Sequence, residues 1–173
     1  PVHPAGVGRR ARVPDEQHAG VAVRERLPLG LVGRDRAVGG QTDVAVQVDY
    51  GIVIGCDTVA ECCGMILGKP SDRDHAREML RMMRGREHHV YSGLCLWKRP
   101  GIRPQIRVDR SKLIMDPVTD QQLEAYLDTD GWEGKAGAFG YQDGLDWVHL
   151  IDGSESNVVG LPMELFAQML QEI

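Results

Sequence analysis

The chain has 173 residues, a net charge of −5, 42% hydrophobic and 26% charged residues, proportions that suit one soluble domain and exclude collagen-like and wholly disordered chains. No apolar run approaches the roughly 20 residues of a membrane-spanning helix, and the acidic balance argues against a nucleic-acid backbone as the main partner. Four clustered cysteines do not make a secreted disulfide framework, and the opening Pro-Val-His-Pro lacks the segments of a signal peptide, so a reducing cytoplasm is expected.

Composition divides the chain into residues 1–49 and 50–173. The first stretch holds seven Arg, ten Val and seven Gly but no Lys, Ile, Met, Phe, Trp, Tyr, Ser, Asn or Cys. With few large apolar side chains it supplies little core, since burial energy scales with apolar area. It reads as an atypical, poorly packed segment with one weak strand at 44–48. Its Arg, Gly, Val, Ala and Pro excess is also what a GC-rich gene gives when read out of frame.

From Tyr50 the periodicities sharpen. Residues 50–56 (YGIVIGC) form a β-branched run of the kind buried on both faces of a sheet, ending at Asp57-Thr58. Ile66 to Pro70 is a short extended piece stopped by proline. Ser71, with Asp74 three residues on, predicts a helix start; Ala76, Met79, Leu80 and Met83 repeat at helical spacing until Gly85. Residues 89–97 read as a strand and 102–115 as one or two more. Thr119 begins a helix carrying Leu123, Tyr126 and Leu127. A glycine-rich loop spans 131–144, a strand 147–151, and a helix 161–173 with Leu165, Phe166, Met169 and Leu170 inward. Alternating strands and helices predict an α/β domain.

Four segments place polar groups where strands or loops end. Asp57 follows its strand directly and is a candidate general base or metal ligand, or else a turn-forming Asp. Lys69 stands between Gly68 and Pro70, able to hold a phosphate as a point charge. Small residues flank Lys135 in the 134–142 segment, so amides and one ammonium could surround an anion, although Walker spacing is absent. Asn157 precedes the last helix and could cap it or read a ligand. Two lysines and an aspartate together suit polyphosphate hydrolysis, in which cations neutralise phosphoryl oxygens and a carboxylate activates water.

In chain order, Ile54-Gly55-Cys56-Asp57-Thr58-Val59, Ile66-Leu67-Gly68-Lys69-Pro70, residues 85–93 (GREHHVYSG), Lys135 to Gln142, and Asn157 to Pro162 resemble the Maf-like nucleotide pyrophosphatase family. The resemblance covers residues 50–173 and is nearest the dTTP/UTP pyrophosphatase branch. It implies an inosine-triphosphate-pyrophosphatase-like α/β fold, with a mixed sheet flanked by helices. It also implies cleavage of a nucleoside triphosphate to its monophosphate and pyrophosphate with Mg²⁺ or Mn²⁺, and a homodimer. Asp57 matches the family's proton acceptor, which would deprotonate water or bind the metal. Lys69 and Lys135 match its phosphate-contacting lysines; Thr58 and Gln142 match positions of base selection, and Gly137 and Asn157 fall in its substrate-binding segments. A Gln amide both donates and accepts, so it can pair with a uracil or thymine edge.

The chain departs from the family in places. The Ser-x-Ser-Pro-Arg-Arg loop is missing; Arg9-Arg10 lacks its context, and neither Glu16 nor Glu25 is anchored as the family's early Glu. Phe139, Tyr141 and Asp143 replace a usual tyrosine, aliphatic and glycine. Losing two triphosphate-binding arginines implies a rate lower by ~10²–10³-fold. The alternative is a non-catalytic nucleotide-binding or cell-division-linked interaction protein. A zinc module built from Cys56, Cys62, Cys63, Cys95, His88 and His89 fits no standard spacing, and adjacent Cys62-Cys63 on an extended segment point to opposite faces. His88 matches a family histidine that either bonds locally or acts on substrate. Arg73, Arg77, Arg81 and Arg84 form a basic helix face, read as solvated rather than as a nucleic-acid contact.

Overall fold

The computed structural model describes residues 48–101 and 103–173. The expectations for residues 1–47, including the strand at 44–48, Arg9-Arg10, Glu16 and Glu25, lie outside the described residues.

Among the described residues five strands form one sheet: β1 (Gly51–Cys62), β2 (Met65–Leu67), β3 (Glu87–Arg99), β4 (Gln105–Met115) and β5 (Val148–Asp152), in the order β2-β1-β3-β4-β5. Every strand pair is antiparallel, and an isolated Arg84–Met115 bridge is the parallel element of the sheet among the described residues. Among the described residues four α-helices accompany it: α1 (Arg73–Met83), α2 (Asp120–Leu127), α3 (Glu155–Val159) and α4 (Met163–Leu170). Among the described residues no helix is long and apolar enough to cross a membrane.

β1 runs past its expected end. It continues through Asp57 and Thr58 to Cys62, because β3 pairs with it residue by residue, Asp57 opposite Gly93 and Thr58 opposite Ser92. Asp57 is therefore a mid-strand residue facing a glycine, not the last residue before a turn. Cys63 and Gly64 then turn the chain with φ of 54° and 80°, the paired positive angles of a two-residue hairpin. That turn brings the Cys62 and Cys63 sulfurs to 3.7 Å, so the two side chains do not diverge as an extended segment would make them.

α1 buries Ala76, Met79, Leu80 and Met83 as its periodicity predicts, but its cap is Asp72, whose Oδ1 accepts the His75 N–H at 2.8 Å, rather than Ser71. Thr119 caps α2 in a full capping box with Gln122, and Leu123, Tyr126 and Leu127 are buried. The basic face of α1 is not simply solvated. Arg73 meets Glu124 at 2.9 Å and Asp128 at 2.6 Å, Arg77 binds Glu124 and Asp74, and Arg81 and Arg84 both reach Asp120, at 3.3 and 2.6 Å. All but the Arg77–Asp74 pair, which lies within α1, tie this face to α2 and its C-terminal cap. The Arg77 and Arg73 guanidiniums hold the Glu124 carboxyl down to about 2. Arginines so occupied leave no bare basic stripe for a phosphate backbone.

A short helix precedes the expected final one. α3 forms first, capped by Ser154 Oγ accepting the Asn157 N–H at 3.2 Å, and α4 begins only after Pro162. Met169 is fully buried and Leu165 and Phe166 pack beside it, while Leu170, expected inward, is 37% exposed at the helix end.

Two apolar clusters share one sheet face. The larger gathers Ala60, Leu67, Val90, Leu113 and Met115 with α1 and α2; the smaller gathers Leu94, Leu96 and Met169 with Cys56. Between them along β1 and β3 stand Thr58 and Ser92, their hydroxyls 2.7 Å apart. The core is broken by a polar step at that place.

Candidate active site

The cleft opens at this step. It has a volume of about 230 Å³ and is lined by Cys56, Asp57, Thr58 and Ala60 of β1, Lys69 after β2, Gly134 to Ala136, Phe139 and Gln142 of the glycine-rich loop, Val90, and Val158-Val159 of α3. Asp57, Thr58, Lys69, Lys135 and Gln142, expected from separate parts of the sequence, thus meet in one cavity.

Local backbone chemistry explains the convergence. The Gly137 N–H donates to the Gly68 carbonyl at 3.0 Å, tying the glycine-rich loop to the exit of β2. Lys69 follows one partner of that bond and Lys135 precedes the other by two residues, so one tie carries both ammonium groups to the cleft. Gly137 has φ of 71°, and a Cβ there would come to 2.9 Å from the Ala60 Cβ. Only glycine allows this approach to β1. Gly137 therefore shapes the wall through its backbone and is not itself in the lining.

Asn157 also stands behind the cleft rather than in it. It is fully buried, and its Nδ2 donates to the Val90 carbonyl at 3.2 Å and to Ser111 Oγ at 2.9 Å. Ser111 Oγ in turn donates to the Ser154 carbonyl at 3.0 Å and accepts the Ser154 N–H at 3.1 Å. A buried polar group is retained where it satisfies its neighbours, and here it straps α3 to β3 and β4. Asn157→Ala is expected to lower stability by about 2 kcal/mol, because the Val90 carbonyl and Ser111 lose a buried donor. Urea unfolding measures this, and a loss under about 0.5 kcal/mol would remove the strap from the account.

Thr58 is positioned by the same network. Ser92 Oγ donates to the Asn157 carbonyl at 3.2 Å, which leaves its lone pairs for the Thr58 hydroxyl at 2.7 Å. With its proton shared between Ser92 Oγ and the Gly160 carbonyl 3.4 Å away, the Thr58 hydroxyl keeps acceptor lone pairs. Cys56 lines the cleft as a neutral thiol: burial first, then the Asp57 charge, pushes it up to about 11. A thiol so raised is no thiolate nucleophile at neutral pH.

His88 is not in the lining. It is fully buried, its ring edge-on to Phe139 at 5.5 Å and its Nδ1 3.4 Å from the Arg86 carbonyl. Its role is local packing beneath the loop. No group of three or more His, Cys, Asp or Glu suited to a metal exists among the described residues, which leaves the zinc module without a site.

One cleft of an antiparallel α/β domain thus brings together an aspartate and two lysines. The family described as Maf-like protein matches residues 27–173, and the chain belongs to it. The match begins before residue 50 and takes in residues 27–49. A dTTP/UTP pyrophosphatase of Rhodopirellula baltica is 51% identical over 158 residues, covering 91% of this chain and 69% of that protein. Proteins of the same description from Carboxydothermus hydrogenoformans (39% identical, 75% of this chain, 70% of that one) and Dictyoglomus thermophilum (35%, 86% and 77%) are also similar.

Proposed function

We propose that the chain hydrolyses a nucleoside triphosphate, with dTTP or UTP favoured, to the monophosphate and pyrophosphate. The observation that carries this reading is the meeting of Asp57, Lys69 and Lys135 in one cleft beside Thr58 and Gln142. Relatives described as dTTP/UTP pyrophosphatases support it.

The roles follow from charge and geometry. Lys69 and Lys135 bind the triphosphate and neutralise charge developing on its oxygens. Asp57 accepts the proton of the attacking water, and the α–β anhydride bond breaks with pyrophosphate leaving. Thr58 as acceptor and Gln142 as donor and acceptor meet the imide edge of uracil or thymine, whose N3–H is flanked by two carbonyls. Asp57 is the carboxylate in the lining. That carboxylate would hold a hard divalent ion such as Mg²⁺ or Mn²⁺. Bound there, the ion would withdraw charge from the phosphoryl oxygens.

A pyrophosphate-release assay across dTTP, UTP, CTP, ATP and GTP with Mg²⁺ or Mn²⁺ tests this. Release from dTTP and UTP at least about tenfold faster than from purine triphosphates is expected, since an amide-reading site rejects a mispaired edge. Nucleotide binding with no pyrophosphate released would leave the cleft a binding site only.

A further inference from the structure

Asp143 lies outside the cleft lining, yet it holds one of the cleft's lysines. Lys135 Nζ donates to Asp143 Oδ2, and the pair closes over Gly140, where an added Cβ would collide with both atoms. The loop beneath is fixed, because the Gly140 N–H donates to Tyr126 Oη at 3.2 Å. The Asp143 charge reaches that hydroxyl too: burial first, and Asp143 with it, pushes Tyr126 up to about 12. Three features therefore serve one contact: a carboxylate, a glycine that leaves room for it, and a hydrogen bond that anchors the glycine.

The contact occupies the ammonium that the cleft offers to phosphate. We propose that Asp143 is a built-in competitor for Lys135, displaced by the entering triphosphate and retaking the ammonium as pyrophosphate departs. This rests on the triphosphate reading of the cleft. The exchange makes and breaks no covalent bond, since one anion replaces another at the Lys135 ammonium. The side chains keep 27% and 32% exposure, so solvent weakens the pair and a ligand of several negative charges can break it. Asp143 is thus a positioning residue. It lowers ground-state affinity for polyphosphate and so limits retention of the product.

Calorimetric titration of inorganic pyrophosphate into the full chain tests the competition. Asp143→Asn is expected to bind pyrophosphate about tenfold more tightly than the wild type. With dTTP or UTP the KM of Asp143→Asn falls and kcat does not rise, the split produced by added uniform binding. Asp143→Glu restores wild-type affinity. In a Lys135→Ala background, Asp143→Asn has no effect on pyrophosphate affinity. Unchanged or weaker binding by Asp143→Asn, or tightening that survives Lys135→Ala, overturns the proposal. The two readings fail separately. Tightening through Lys135 without hydrolysis of any triphosphate removes the enzyme and keeps the competitor; hydrolysis with unaltered pyrophosphate affinity does the reverse.

Discussion

Asp57→Asn is expected to lower pyrophosphate release by ~10²–10⁴-fold, the span that one positioned proton acceptor contributes. The substitution keeps shape and removes the charge and basicity. The Asp57 backbone is held in the β1–β3 ladder opposite Gly93. Urea unfolding of the variant beside the wild type separates a loss of fold from a loss of chemistry. Titrating Mn²⁺ separates two roles for the carboxylate: partial recovery at high metal marks a ligand, and none marks the base. Lys69→Ala and Lys135→Ala should each cost ~10²–10³-fold with a raised KM, because cations act on bound phosphate as well as on the transition state. Full rate in Asp57→Asn would move the proton acceptor to another residue.

Much of this site was legible because its residues sit in short segments with their own local grammar. The β-branched run before Asp57, the Gly68-Lys69-Pro70 stop and the small residues around Lys135 each mark a place where backbone and charge come close. What joins them was not legible. The Gly137 to Gly68 hydrogen bond links positions far apart in sequence, and neither glycine announces its partner. Periodicity served the helices well, since Ala76, Met79, Leu80 and Met83 must share a face at that spacing. It did not mark α3, because five residues make little more than one turn; Ser154 followed by Asn157 was the available signal. It also stopped β1 at its last apolar residue, whereas the ladder to β3 carries the strand through polar Asp57 and Thr58. At Asn157 polar character left a capping or a ligand-reading role open, and its amide serves the core. The arginines of α1 looked solvated for a related reason: Glu124 and Asp120 meet them only once α2 has packed.

His88 gives the fold a pH dependence of its own. Burial is the main cause that brings its ring from the ordinary 6.5 down to about 4; neighbouring His89 acts in the same direction, opposed by the Arg86 carbonyl and Glu61. A base whose folded pKa is depressed is protonated preferentially in the unfolded chain. Stability is therefore complete above about 6.5, falls as pH drops from there toward about 4, and falls no further from this group below that. The shift corresponds to about 3 kcal/mol, a large part of a domain's margin. The carboxylates add their loss lower down. Asp120 and Glu164 are held below their usual range, and Glu124 lies at about 2, so their contribution declines only as pH falls beneath the ordinary carboxylate values. Between about pH 6.5 and 4.5 the His88 slope stands apart. Urea midpoints measured across that window should fall steeply for the wild type and stay nearly level for His88→Phe, which keeps a ring against Phe139 and cannot titrate. Because His88 packs directly beneath the loop that carries Lys135 and Gln142, the same acid step should weaken nucleotide binding before the whole domain unfolds. Parallel slopes for the two proteins would place the acid sensitivity in some other group and leave His88 a packing residue only.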